Sequence, residues 1–103
     1  MSISVTTTRR DDVACVSCVG EVDVSNAAKL REALDAALTQ ASQAIEVDLS
    51  GVSYIDSTGI GVLVGAAHHA SEAGASLSVL HPQKNVVRVL KLLGVMEDLG
   101  VVE

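Results

Sequence analysis

The residues of this chain best placed to do chemistry are Asp56, Ser57 and Thr58, followed directly by Gly59. They come after an alternating segment, Ile45, Val47 and Leu49 against Glu46 and Asp48, whose period of two marks a strand. An apolar run rich in Ala and Gly follows and predicts a helix over 58–73. Small oxygen-bearing side chains at a helix start accept N–H groups that have no intrahelical partner. The same place is the positive end of the helix dipole and tolerates an anion, phosphate included. A serine hydroxyl there is a chemically reasonable phosphoryl acceptor, and its ordinary role as a simple cap is the competing reading. Gly59, Gly61 and Gly65 weaken this helix by about 1 kcal/mol each relative to Ala. In the first turn glycine leaves backbone uncovered for another molecule to approach, whereas Gly65 is expected to allow close packing on the sheet.

The other reactive side chains fit their chemistries less well. Cys15 and Cys18 form a C-x-x-C pattern within a predicted strand over 13–19, where residues three apart face opposite ways and cannot bridge. They read as two small buried residues. A zinc site needs four convergent ligands, which two opposed thiols and the scattered His68, His69 and His81 do not supply. No metal or cofactor is therefore expected. His68 and His69 fall late in the predicted helix, one exposed and one half-buried. Ser57 lacks the Gly-x-Ser-x-Gly elbow of a nucleophile, because Ile55 stands where the first glycine is needed. No catalytic residue is assigned.

The elements that must position Ser57 follow from periodicity. Strands are predicted over 2–8 and 13–19, joined as a hairpin by a polar turn at 9–12. The second strand is apolar at most positions, which predicts a central strand covered on both faces. Residues 20–23 leave that strand, and Val24, Ser25 and Asn26 supply the cap of a helix from Ala27 to about Ala41. Its apolar face carries Leu30, Ala33, Leu34, Ala37, Leu38 and Ala41. A third strand over 44–49 and a loop over 50–55 precede the Ser57 helix, which Gly74 ends. A fourth strand over 77–80 stops at His81-Pro82. The last helix, 85–93, places Val86, Val89, Leu90 and Leu93 on one face, with Arg88 and Lys91 outside it, and stops at Gly94. Val101 and Val102 form a short final strand or a helix extension. The order implies an α/β fold: a mixed sheet of four to five strands with helices packed on it, in one domain spanning 1–103. The loops after the second and third strands then open at the same carboxyl edge of the sheet, where α/β domains put their sites.

The segment from Val47 to Leu63, with Asp56-Ser57-Thr58-Gly59 at its centre, resembles the signature of the STAS family. Within that family it is most similar to the small stand-alone bacterial anti-sigma factor antagonists. Gly20-Glu21-Val22-Asp23 matches a second motif of the family, and the resemblance covers nearly the whole chain. It implies a STAS-like fold and a partner-switching role in transcription regulation and stress response. The unphosphorylated form would bind an anti-sigma factor that is also a serine kinase using ATP and Mg²⁺, and so free a sigma factor. Phosphorylation of Ser57 would end that binding, and a protein serine phosphatase would restore it. Glu21, Asp23, Asp56, Ser57, Thr58, Gly59 and Gly61 would line the partner surface, with Thr58 structural. The protein would be the substrate of both partner enzymes, not an enzyme, and a monomer when free. A scaffold or ligand-sensing STAS module of a stress-signalling assembly is the alternative.

Composition bounds the rest. A chain of 103 residues with 49% hydrophobic content can build one core, and with one Tyr and no Phe or Trp that core is aliphatic. The net charge of −6, without a run of basic residues, argues against nucleic acid as a partner. No apolar stretch approaches the roughly 18 residues of a membrane span, and the start lacks the pattern of a signal peptide, so a cytoplasmic location is expected.

Overall fold

A computed structural model describes residues 2–40 and 43–103. The Thr-rich segment Ile3–Arg10 (β1) turns back through Asp11 and Asp12 into Val13–Val22 (β2). The two strands pair antiparallel, from Ile3 opposite Gly20 to Arg10 opposite Val13. Asp11 adopts the left-handed conformation, φ 56°, which Asp tolerates in tight turns. Arg9 and Arg10 thus belong to the strand and not to the expected turn, because two residues suffice to reverse the chain.

Helix Ala27–Gln40 (α1) leads to Ala44–Ile55 (β3), helix Ser57–Glu72 (α2) leads to Ser76–Leu80 (β4), and helix Lys84–Leu93 (α3) follows. The expected helical residue Ala41 lies outside the described residues. The sheet order is β1-β2-β3-β4, with β2, β3 and β4 mutually parallel. This is the predicted mixed α/β sheet. Successive parallel neighbours joined by helices put both crossovers on one face of the sheet. That face holds the core: Val16, Ile45, Val47, Leu49, Leu77 and Val79 meet Leu30 and Leu34 of α1, Leu63 of α2 and Leu90 of α3 in one aliphatic cluster.

Among the described residues no helix covers the opposite face. Thr8, Cys15, Glu46 and Ser78 lie across it in one row, exposed or half-buried. Strand β2 is therefore central, between β1 and β3, but covered on one face only. Its outward positions Val13, Cys15 and Ser17 are half-buried, and the apolar composition reflects close neighbours within the sheet.

Strand β3 also runs further than expected, replacing the loop over 50–55 with paired backbone up to Ile55 opposite Val22. Two residues advance on β2 between Ser17 and Val19 while three advance on β3, and a second extra residue enters between Gly20 and Glu21. Such bulges let turn-forming residues such as Ser50, Gly51 and Ser53 sit inside a strand. The Asp48 carboxylate stabilises the first by accepting the Ser50 N–H at 2.8 Å.

The chain ends by running along the free side of β4. Val102 bridges Leu80 in parallel, the Val102 N–H donates to Val79 O at 2.8 Å, and the Val79 N–H donates to Leu99 O at 2.9 Å. Helix α2 closes at Gly74, φ 78°, with the Ala75 N–H donating back to Ala70 O at 2.8 Å, as the expected glycine stop requires. Gly94, φ 70°, does the same for α3. No helix among the described residues is long and apolar enough to cross a membrane.

Gly20 adopts φ 123°, and a Cβ there would sit 2.6 Å from Ser2 O. Gly20→Ala should destabilise the fold by roughly 1–3 kcal/mol, the range for a residue forced into a glycine-only conformation. Urea denaturation measures this, and an unchanged midpoint would contradict it.

Candidate functional site

The site edge is built where β2 and β3 end together. Glu21 stands opposite Tyr54, and Val22 stands opposite Ile55. One residue on, the Asp56 N–H donates to Val22 O at 3.1 Å, which fastens the start of α2 to the end of β2. Asp56 is extended, φ −96° and ψ −178°, and is the N-cap. Its Oδ1 accepts the Gly59 N–H at 3.1 Å, and its carbonyl accepts the Ile60 N–H at 3.0 Å. Of the three residues expected at the cap, Asp56 alone carries that role. Ser57 and Thr58 occupy the first two helical positions, both exposed. Neither hydroxyl makes a hydrogen bond among the described residues. Ser57 is thus a free alcohol at the positive end of a sixteen-residue helix.

The loop after β2 lies next to it through Val22. Asp23 is half-buried and locked into its own turn: Oδ1 accepts the Ser25 N–H at 2.9 Å and also the Ser25 hydroxyl. The Asn26 side chain donates to Glu21 O at 2.9 Å and accepts the Asp23 N–H at 2.9 Å. The Ser25 hydroxyl bond, helped by backbone N–H groups, holds the Asp23 carboxyl below the ordinary aspartate value of 3.8. Glu21, by contrast, is the last residue but one of β2, not part of a loop, because the Gly20 bulge carries pairing past it.

The glycines divide. Gly59 is buried, and a Cβ on it would lie 2.7 Å from Val22 Cγ1 and 2.8 Å from Ile55 Cγ1. Its lack of a side chain serves close approach of α2 to the strand ends, not access for another molecule. Gly61 is exposed, with nothing within 4 Å of its would-be Cβ. Gly65 is the same in that respect, so the expected packing of Gly65 on the sheet does not occur. Instead Gly61 and Gly65 floor a groove of about 200 Å³ between α2 and α1, with Arg31, Asp35 and His69 at its sides.

Two neighbours were not legible as site residues. Tyr54 is 48% exposed beside Glu21, and Val24 is 77% exposed at the tip of the Asp23 loop. Together they add an apolar component to an acidic rim. The only signal was that the chain's single aromatic residue falls two positions before Asp56. A third loop is stitched to the same edge: Asn85 Nδ2 donates to Ser53 O at 2.7 Å and Gln83 Nε2 donates to Ser50 O at 2.9 Å.

The remaining reactive groups lie elsewhere. His68 is eleven residues along α2 from Ser57, about 16 Å by helical rise. Both His68 and His69 are exposed, rather than one being half-buried, and His68 Nε2 lies 3.7 Å from Glu72 Oε2. Cys18 is buried, whereas Cys15 is half-exposed on the open face and donates to Glu46 Oε1 at 3.5 Å. Burial pushes both thiols up, and the Glu46 contact adds to this for Cys15, so neither is activated as a thiolate. No group of three His, Cys, Asp or Glu among the described residues is arranged to hold a metal ion.

A mixed sheet with β-α-β crossovers on one face and an exposed serine at the start of its second helix defines a small α/β module. The chain belongs to the STAS domain family, whose model described as "Mlab, STAS domain" matches residues 5–103. It is 31% identical over 101 residues to an anti-sigma-B factor antagonist of Bacillus subtilis, covering 98% of this chain and 92% of that protein. It is similar to the crystal structure of an anti-sigma factor antagonist from Mycobacterium paratuberculosis, with a TM-score of 0.86 and 27% identity over 97% of this chain and 85% of that one. It shares its fold with SpoIIAA in its unphosphorylated form, with a TM-score of 0.77 and 18% identity over 97% of this chain and 89% of that one.

Gly59→Ala should destabilise the protein, because an overpacking cost of roughly 1–3 kcal/mol outweighs a helix-propensity gain of at most about 1 kcal/mol. Gly61→Ala, with open space around it, should stabilise the free protein by about 1 kcal/mol. Opposite signs in thermal melts check both. Ser25→Ala should raise the Asp23 titration toward 3.8, followed by carboxyl-carbon NMR. The folded value is the depressed one. The associated stabilisation is therefore present above the unfolded value and lost as pH falls through the folded one, and Ser25→Ala should reduce that acid-side loss.

Proposed function

We propose that this protein is an anti-sigma factor antagonist switched by phosphorylation of Ser57. The observation that carries the reading is the exposed Ser57 hydroxyl, without a hydrogen bond, at the first position of α2. The unmodified protein binds an anti-sigma factor that is also a serine kinase, through the edge bearing Glu21, Asp23, Ser57 and Gly61, and so releases a sigma factor. The kinase transfers the γ-phosphoryl group of ATP to Ser57 Oγ, with Mg²⁺ on its own side of the interface, and a phosphatase removes it. The antagonist is the substrate in both reactions, acts in the cytoplasm and is monomeric when free.

The electrostatics support a switch that needs no refolding. A phosphate adds about −1.5 to −2 charges at neutral pH. In the free protein the group projects into water at a helix N-terminus, which favours it. Beneath a partner it is desolvated on a rim that already carries Glu21, Asp23 and Asp56. Moving a partner from almost fully bound to almost fully free takes on the order of 5.5 kcal/mol. An uncompensated charge in a buried interface costs about 3–5 kcal/mol, so one phosphate supplies most of that difference.

Ser57→Ala should keep its stability within about 0.5 kcal/mol of wild type, as expected of an exposed residue, and should remain bound to the kinase without accepting phosphate. Ser57→Asp should bind weakly. Phosphopeptide mapping after incubation with the cognate kinase and ATP is the measurement, and label retained by Ser57→Ala would overturn the assignment.

A further inference from the structure

Three of the chain's seven Lys and Arg residues, Lys84, Arg88 and Lys91, fall on α3 at spacings of four and three. They therefore share one face and span about 10 Å of helix. The helix itself carries no acidic residue. All three cations are exposed, and among the described residues no carboxylate lies within 4 Å of any of them. They surround a shallow groove of about 320 Å³ floored by Val87, with Glu103 at its rim. Leu92, 79% exposed, stands one turn beyond Arg88. A chain of net charge −6 thus concentrates three positive charges, none in a close ion pair and with Glu103 the acid that lines their groove, beside exposed apolar surface.

We infer that the Lys84–Arg88–Lys91 face of α3 is a docking surface for an acidic helix of a partner protein. Carboxylates at matching helical spacing meet the three cations, and an apolar side chain among them covers Leu92. Charges of one sign this close together add within a Debye length of about 8–10 Å, so the face steers an acidic partner despite the opposite overall charge. A polyanion such as duplex DNA fits less well, because three cations engage at most about three phosphates while the rest of the surface repels the backbone. A lipid surface fits less well because the apolar side of α3, Val86, Val87 and Leu90, is already buried in the protein's own core. The inference is independent of whether Ser57 is modified. The face is nevertheless anchored near that edge, through the Asn85 bond to Ser53 O and the Gln83 bond to Ser50 O.

The test is fluorescence anisotropy of the full chain with a labelled helical peptide that carries Glu at matching positions and one Leu between them. Saturable binding is expected. It should weaken about tenfold or more for the triple variant Lys84→Glu, Arg88→Glu, Lys91→Glu, and similarly when the peptide's Glu residues are Gln. Because three ion pairs are involved, binding should also fall by about tenfold or more between about 50 and 200 mM NaCl. Circular dichroism and the milder triple Gln variant, expected to lose binding without charge reversal, guard against misfolding. Ser57→Asp should leave peptide binding unchanged. The inference is overturned if the peptide does not bind, if the triple variants bind as wild type does, or if Ser57→Asp weakens the peptide as strongly as they do. It is also overturned if duplex DNA or phosphatidylglycerol vesicles bind the same face more tightly than the peptide.

Discussion

The edge that carries Ser57 depends on how closely the first turn of α2 sits against the ends of β2 and β3. That closeness is set by one hydrogen bond, Asp56 N–H to Val22 O, and by the missing side chain of Gly59. Asp56 engages all three of its polar groups there: its N–H on the strand, its carbonyl on Ile60 and its carboxylate on Gly59. Because the aspartate does the structural work, the neighbouring serine is left with none. Architecture and chemistry are thus separated between adjacent residues, and a change at the alcohol need not disturb the cap.

Charge is separated as well. The carboxylates Glu21, Asp23 and Asp56 gather where β2 and β3 end, while the cations of α3 lie on a different element tied to that edge by two side-chain bonds. A surface with an acidic rim and a basic flank has a preferred orientation in a partner's field even when net charge alone would predict repulsion. Adding a dianion at the rim sharpens the negative end and leaves the positive flank intact.

Much of this was readable from residues alone, and for clear reasons. Period-two alternation gave β1 and β3, a mostly apolar run gave β2, and the 3-4-7 spacing of Val86, Val89, Leu90 and Leu93 gave α3, although Leu93 is 51% exposed and Val87 takes the buried face. The start of α2 at Asp56 was legible because a cap residue followed by an apolar run after a strand marks a helix N-terminus, while the reading of Ser57 as a phosphoryl acceptor came from the family resemblance. The errors cluster where two signals coincide. Ser50, Gly51 and Ser53 read as a loop because bulges use the same residues as turns. Gly59 and Gly65 read as the wrong kinds of glycine, since only coordinates reveal what a methyl group would touch. The basic face of α3 escaped a search for charge runs because helical geometry assembled it from residues three and four apart.

The C-terminal segment that lies along β4 has a consequence for assembly. Hydrogen bonding of Val79 to Leu99 and Val102, and of His81 to Val102, covers part of that side of the sheet, whereas among the described residues β1 carries no strand on its outer side. Growth of a fibre by strand addition needs two complementary borders on every molecule. Copies that join through the longer, open border of β1 would close into a two-fold pair, an arrangement the partly covered β4 side favours over growth strand by strand.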